Sequence, residues 1–409
     1  MKILYILNYQ REVPPFAIIE VSYAKKMFDK VVYITRKLDN DNSYSIRDSN
    51  VEFIQISFYR RCVTVLRILI LLFSKRILLQ LYNSFKHNVF SASYIKNLLR
   101  ELYVSEQLYI VCKQHSENKQ LYEKYVLSCW FNGTAIAAAK LQHKLHYKSY
   151  SFAHAFEVNP LRNKFVGFLL EGYKHENLTK ISFISEIVKN MYTKRVYPVI
   201  GNQTNAVLDY LGTVKHHQES VIKTDKFTIC SCSTVHQIKR LDLLIEALSH
   251  ITHQNIHWIH IGDGPDFTRI KNYAKSILPD NIEFCFLGKL PNEDVQSFYS
   301  QIPVDLFINV SESEGLPVSI MEAMSYSIPC MATDVGGTSE IVNSNNGVLL
   351  SKDILPIELS AKIIDFIQMD SEIKIRMKQA AFENWNNKFN ADRNITKYFA
   401  KMISDEYEE

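Results

Sequence analysis

The sequence predicts an α/β protein made of two Rossmann-like domains. Three observations carry this reading. Residues 226–350 alternate short apolar runs with amphipathic stretches, the pattern of a parallel sheet covered on both faces. The first 35 residues open with the same strand, helix, strand order. At 409 residues the chain is longer than one hydrophobic core usually serves.

In chain order, Lys2–Asn8 reads as a strand, Ile18–Met27 as a helix and Val31–Thr35 as a second strand. A polar stretch, Arg36–Asn50, follows. Strands at Val126–Cys129 and Ser149–Phe152 flank a helix at Thr134–Lys144, and Ile181–Ile184 is a further strand. Patterning fades between Tyr197 and Asp225, where Pro198 and Gly201-Asn202 supply turn residues. The expected domains are therefore 1–200 and 205–390. The second domain's strands are Phe227–Cys232, Ile256–Ile261, Ile282–Leu287, Val304–Val310, Pro329–Ala332 and Gly347–Leu350. Its helices are Leu241–Ile251, Phe267–Ile277, Asn292–Gln301, Val318–Tyr326 and Thr338–Val342. A last helix is expected near Ala391–Ile403.

A hydrophobic content of 47% suits folded cores. The opening Met1–Leu7 is too short for a secretory leader and reads as a strand. Seven cysteines make no framework, and Cys230 and Cys232 fit a buried strand better than a metal site. A reduced, cytoplasmic protein is expected. The net charge of +4 hides an asymmetry. Residues 1–200 hold 29 basic against 15 acidic groups, and residues 201–409 hold 18 against 28. No zinc-finger or helix-turn-helix spacing supports nucleic acid as the partner of the basic half. Anionic membrane surfaces remain, against plain solubilising charge.

The stretch Cys62–Phe73, broken by Arg67 and stopped by Lys75-Arg76, is shorter than the ~20 apolar residues a span needs. Ile77–Tyr82 resumes the apolar pattern. These segments read either as ordinary buried helices or as helices lying on a bilayer, with Arg60, Arg61, Arg67, Lys75 and Arg76 at the headgroups.

The segment Ser311–Met324 carries the chemistry. Glu314 and Glu322 stand eight positions apart, with Gly315, Leu316, Pro317, Val318 and Ser319 following the first. The apolar run Val304–Val310 precedes them, so the order is strand, tight loop, helix. Pro317 suits the first helical position. Free N–H groups and the dipole of that first turn suit phosphate, and a carboxylate on each side suits sugar hydroxyls. Such a set fits a nucleotide-sugar.

Residues Glu314–Val342 resemble the signature of glycosyltransferase family 4, retaining enzymes of the GT-B fold. The resemblance implies two Rossmann-like domains facing across a cleft, with the last helix, about 391–409, crossing back onto the first. It implies that Glu314 faces the donor sugar and Glu322 the ribose. Ser327 stands where the family usually has glycine. Segment Cys230–Leu248 resembles the family's phosphate-binding segment: Lys239 matches its lysine, and Thr234 stands at its arginine. Arg240, at the family's glycine, is the candidate to compensate for that missing charge, though it points about 100° further round an ideal helix than Lys239. Ser151–Glu157 resembles the family's histidine segment, with His154 in place, Phe152 at the arginine and Glu157 at the aspartate. The catalytic set implied is His154, Glu314 and Lys239. Gly336 and Gly337 form a further nest near the donor site.

Of the remaining motifs, the Ile261–Pro265 turn reads as structural, and the backbone of Gly288-Lys289-Leu290 suits contact with a base. Asp39-Asn40-Asp41 mimics a metal-binding pair but reads as a solvated turn. No metal and no cofactor are expected beyond the nucleoside-diphosphate sugar donor. The resemblance implies transfer to a glycan or lipid-linked acceptor in bacterial capsule, O-antigen or lipopolysaccharide assembly, at the inner face of the membrane. Alternatives are an inactive nucleotide-sugar scaffold, an NDP-sugar epimerase or a phosphorylase. A phosphorylase lacks its lysine site here. A nicotinamide enzyme fits least well, because no G-x-G-x-x-G follows the first strand.

Overall fold

The structure is a computed structural model that describes residues 1–10, 15–36, 48–56, 58–117, 122–160, 163–201, 205–215 and 226–404. The expected turn at Asp39–Asp41 and the side chains of Arg60 and Arg61 lie outside the described residues. The chain divides into one compact unit of Met1–Asp209 with Ile395–Glu409, and another of Tyr210–Asn394.

The first unit runs β1 (Lys2–Leu7), α1 (Pro15–Met27), β2 (Lys30–Thr35), β3 (Val51–Gln55), α2 (Phe58–Leu71), α3 (Lys75–Lys86) and α4 (Ala92–Ser116). It continues with β4 (Glu123–Ser128), α5 (Gly133–Leu145), β5 (Lys148–Ala153), α6 (Ala155–Val158), α7 (Glu171–Asn177), β6 (Lys180–Phe183), α8 (Glu186–Ile200) and β7 (Ala206–Leu208). Its seven strands are ordered β3-β2-β1-β4-β5-β6-β7 and pair in parallel. In β1, β2 and β5 every residue after the first is buried, as expected of strands covered on both faces. Helix α4 starts at Ser91, whose Oγ accepts the N–H of Tyr94 at 3.2 Å. It packs along α5, whose small side chains Ala135, Ala137, Ala138 and Ala139 are buried.

The second unit runs β8 (Phe227–Cys232), α9 (Leu241–Ser249), β9 (Ile256–Ile261), α10 (Phe267–Ile277), β10 (Ile282–Gly288), α11 (Asn292–Gln301) and β11 (Leu306–Asn309). Then come α12 (Val318–Ser325), β12 (Cys330–Thr333), α13 (Thr338–Ile341), β13 (Gly347–Leu350), α14 (Pro356–Gln368) and α15 (Ser371–Asn384). A π-helical turn, Trp385–Phe389, precedes α16 (Ala391–Ser404). The order is β10-β9-β8-β11-β12-β13, again parallel.

Helix α16 begins in the second unit and ends in the first. There Tyr398 stacks on Phe152 with ring centroids 4.6 Å apart, and Phe399 meets Phe28 edge-on at 5.7 Å. The hydroxyl of Tyr150 donates to the Met402 carbonyl at 3.3 Å.

The stretch from Cys62 onward forms α2 and α3, and neither is an ordinary buried helix. Among the described side chains, one face of each is covered, through Thr64 and Ile68 in α2 and Ile77, Gln80 and Ser84 in α3. Among the described residues no helix is long and apolar enough to cross a membrane.

Candidate nucleotide-sugar site

Each sheet reverses its strand order once, between β1 and β4 in the first unit and between β8 and β11 in the second. In open parallel sheets, ligands settle at that gap, beyond the carboxyl ends of the strands. Lys239 follows β8 and Glu314 follows β11, so they come from the two sides of the second gap. Their side chains meet, with Lys239 Nζ 2.6 Å from Glu314 Oε1. Asn309, the last residue of β11, donates from Nδ2 to the same oxygen at 3.3 Å. Both charged groups are largely covered, so their attraction is less screened than at an open surface.

Lys239 does not open the long helix. It ends a 3₁₀ turn, Gln237–Lys239, and Arg240 follows at φ 47° before α9 begins. That left-handed residue breaks the continuity assumed for Arg240, which is not one step round the same helix. Its guanidinium donates to the carbonyls of Val310 at 2.7 Å and Lys352 at 2.9 Å. Arg240 therefore tethers the end of β11 and does not replace the charge absent at Thr234, which is exposed.

Pro317 sits one position earlier than the sequence suggests, as the N-cap of α12 with φ −72° and ψ 104°. Its carbonyl accepts from Ile320 at 3.2 Å and Met321 at 3.4 Å. The N–H groups of Val318 and Ser319 head the helix, where its dipole favours an anion. Gly315 and Leu316 form the loop leading in, with Leu316 buried and Val318 exposed.

Gly336 and Gly337 hold this loop from behind. Gly336 has φ 56°, and a Cβ there would fall 1.9 Å from the Glu314 carbonyl oxygen. The N–H of Gly337 donates to the Gly315 carbonyl at 2.7 Å. The Gly337 N–H expected to serve a ligand nest is thus occupied by the protein itself. The Gly262–Gly264 turn packs in the same way on the loop after β8, where Val235 N–H donates to the Asp263 carbonyl at 3.1 Å.

Glu322, on α12, is 8% exposed, and its Oε1 accepts from Asn292 Nδ2 at 2.7 Å. Burial raises its pKa to about 7, opposed by the Asn292 hydrogen bond. Cys232, closing β8, lies within the electrostatic reach of both Glu322 and Lys239, and burial pushes its thiol up to about 12. So Lys239, Glu314 and Glu322, with the Val318–Ser319 helix start, share one end of the second sheet.

His154 belongs to the first unit, directly after β5. Its Nε2 lies 3.1 Å from the Cys129 carbonyl, which can only accept, so Nε2 carries the proton. Its ring lies 4.8 Å from that of Trp130, and burial lowers its pKa to about 4. Glu157 receives the His154 backbone N–H at 3.3 Å and is pushed up to about 8 by burial. A cavity of about 740 Å³ lies at this unit's own strand reversal, lined among others by Gln10, Trp130, Glu157 and Lys174. Lys174 is 2% exposed, and its ammonium donates to the Phe131 carbonyl at 3.3 Å and to Glu171 at 3.4 Å.

Sequence reasoning missed Asn309, Asn292 and Lys174. A polar residue closing an apolar strand could have pointed to Asn309. Nothing in a helical Gly-Tyr-Lys-His marks Lys174 as buried.

Residues 213–384 match the family described as Glycosyl transferases group 1. An uncharacterized glycosyltransferase of Methanocaldococcus jannaschii is 28% identical over 231 residues, 56% of this chain and 61% of that protein. N-acetyl-alpha-D-glucosaminyl L-malate synthase of Bacillus anthracis is 26% identical over 52% of this chain and 54% of its own. An Escherichia coli O-antigen biosynthesis glycosyltransferase, WbnH, is 34% identical over 34% of this chain and 38% of its own. The chain thus covers less than two thirds of each of these relatives. Among solved structures, a glycosyltransferase from Rickettsia africae superposes with a TM-score of 0.69 at 16% identity, covering 98% of both chains. Anabaena HepE in complex with UDP and glucose gives 0.66 at 15% identity, covering 99% and 100%. The fold is GT-B, two parallel-sheet Rossmann-like domains in one chain.

Proposed function

We propose that the protein is a retaining glycosyltransferase that takes its sugar from a nucleoside-diphosphate sugar. The observation that carries this reading is the Lys239–Glu314 pair at the strand reversal of the second sheet, beside the start of α12. In this reading the donor diphosphate displaces Glu314 from Lys239. The freed carboxylate then accepts hydroxyls of the donor sugar, and Glu322 accepts those of the ribose. The bond between the anomeric carbon and the diphosphate oxygen breaks. Lys239 and the N–H groups of Val318 and Ser319 stabilise the charge left on the diphosphate, without a metal. The acceptor oxygen bonds to the same face of the carbon, and its proton passes to the departing phosphate. His154, neutral at physiological pH, orients the sugar.

The acceptor in this reading is a glycan or lipid-linked glycan of a bacterial surface polysaccharide, modified at the cytoplasmic face of the membrane. The names of the O-antigen relative and of a teichuronic acid relative from Bacillus subtilis support that setting. Thermal-shift measurements with a panel of nucleoside diphosphates and their sugars test the donor. Stabilisation by one base, lost in Glu322→Ala, is the expected outcome, because a ligand bound only to the folded state stabilises it. Absence of any shift would overturn the reading. The uncharged Thr234 favours a second reading, an inactive nucleotide-sugar scaffold. A nucleotide shift with no transfer from a radiolabelled donor to any cell-envelope lipid extract would select it.

A further inference from the structure

Helices α2 and α3 set Ile68 and Ile77 in the core yet expose more large apolar residues than they bury. The faces turned to the protein include polar residues: Thr64 in α2, and Gln80 and Ser84 in α3. These are provided for, since Gln80 Oε1 accepts the Leu170 N–H at 3.3 Å and Ser84 Oγ donates to the Leu81 carbonyl at 2.7 Å. The outward faces carry the large apolar residues. In α2 and the turn after it, Val65, Leu66, Leu69, Ile70 and Phe73 are exposed, Phe73 by 84%. In α3, Leu78, Leu79, Tyr82 and Phe85 are exposed, Phe85 by 71%. The spacings repeat every three to four residues, so each set forms one helical stripe. A contiguous apolar surface of this kind on a folded chain marks an interaction site.

Charge identifies the occupant. From Phe53 to Arg100 the sequence contains eight Lys and Arg residues and no Asp or Glu. Lys75, Arg76 and Lys86 are exposed at the two ends of α3. Arg67 and Arg100 are paired with Glu106 and Glu101, but apolar stripes beside the exposed Lys75, Arg76 and Lys86 match an anionic lipid surface, where side chains enter the acyl boundary and ammonium groups stay at the phosphates.

We propose that α2 and α3 lie in the plane of an anionic bilayer, with Leu69, Ile70, Phe73, Leu78, Tyr82 and Phe85 inserted below the headgroups. Insertion, not charge alone, supplies most of the binding. The inference rests on the glycosyltransferase reading only for its purpose, bringing the enzyme to a lipid-borne acceptor. The surface itself stands apart from the donor site.

Cosedimentation of the full chain with vesicles of phosphatidylcholine alone, or mixed with phosphatidylglycerol, tests this at low and high salt. Wild type is expected to bind the mixed vesicles and to remain largely bound at high salt. The triple variant Leu69→Ser, Phe73→Ser, Phe85→Ser is expected to lose about a hundredfold in partitioning at both salts. Lys75→Gln with Lys86→Gln should weaken binding at low salt only. Thermal unfolding of each variant, with and without the nucleotide that shifts wild type, establishes that the fold is intact. Failure of that shift in wild type bears on the donor reading and not on the vesicles. Three results would overturn the proposal: no binding of wild type to mixed vesicles, undiminished binding by the triple variant, or a stable dimer of wild type that the triple variant cannot form.

Discussion

The two units share one strand logic and differ most in the connection that crosses the sheet. In each, the first strand is central, two strands build outward on one side, and the chain then crosses to the other side. In the second unit that crossing, from β10 to β11, contains only α11. In the first, from β3 to β4, it contains α2, α3 and α4. The compact crossing adds one helix, and at the strand ends of that sheet Lys239 meets Glu314. The enlarged crossing carries the apolar stripes. The difference teaches that the same sheet can hold chemistry at its strand ends while an expanded connection adds a surface the sheet does not need.

The largest expected effect would come from the strand ends of the second unit. Lys239→Met or Glu314→Gln should lower turnover by about a thousandfold, consistent with loss of charge stabilisation on a leaving group. Radiolabelled transfer measures it, and circular dichroism checks that the fold survives. A comparable fall with His154→Ala would show that the first unit shares the chemistry. An unchanged rate there would confine the chemistry to the second.

Next is the backing of the Glu314 loop. Gly336→Ala puts a methyl into the Glu314 carbonyl and forces a left-handed residue to accept a side chain. A loss of about 3 kcal/mol in urea unfolding is expected.

Titration separates the units further. The folded pKa of Glu322, about 7, lies above its ordinary 4.5. Its contribution is thus present at low pH and falls away as pH rises from 4.5 to 7. Glu322→Gln should gain stability relative to wild type across that window. His154 runs the other way, its folded pKa of about 4 lying below 6.5. Its contribution is lost as pH falls from 6.5 towards 4, so His154→Gln should flatten the acid limb. Denaturant midpoints measured across pH check both signs.

The smallest effect concerns Ser327. It sits at φ 61° just past α12. Its N–H donates to Met324 at 3.0 Å, and that of Ile328 to Ala323 at 3.3 Å, the double bond pattern of a glycine helix stop. Ser327→Gly should raise stability by about 1 kcal/mol in the same assay.

Much of the second unit was legible because its strands are short apolar runs bounded by turns. Phe227–Cys232, Ile256–Ile261, Phe267–Ile277 and Asn292–Gln301 fall where periodicity puts them. The first unit hid more. β3 has no strict alternation and β7 is only three residues long, so neither stands out in a window of residues. Helices α2 and α3 were ambiguous because periodicity reveals an apolar stripe but not which way it faces. Within the site, the residue types were readable from Ser311–Met324. Their pairing was not: a lysine after one strand and a glutamate after another meet only once the strand order is known. Arg240 is deceptive because an arginine does not announce a left-handed backbone, and the hint lies in the glycine the resembling family has at that position.

The tail helix α16 has a consequence for biosynthesis. Phe399 and Tyr398 cover Phe28 and Phe152 of the unit that leaves the ribosome first. That unit must wait, partly uncovered, until all of Tyr210–Asn394 has been translated before its own last helix arrives. The half made first is the half finished last, and it passes that interval with aromatic surface open to chaperones.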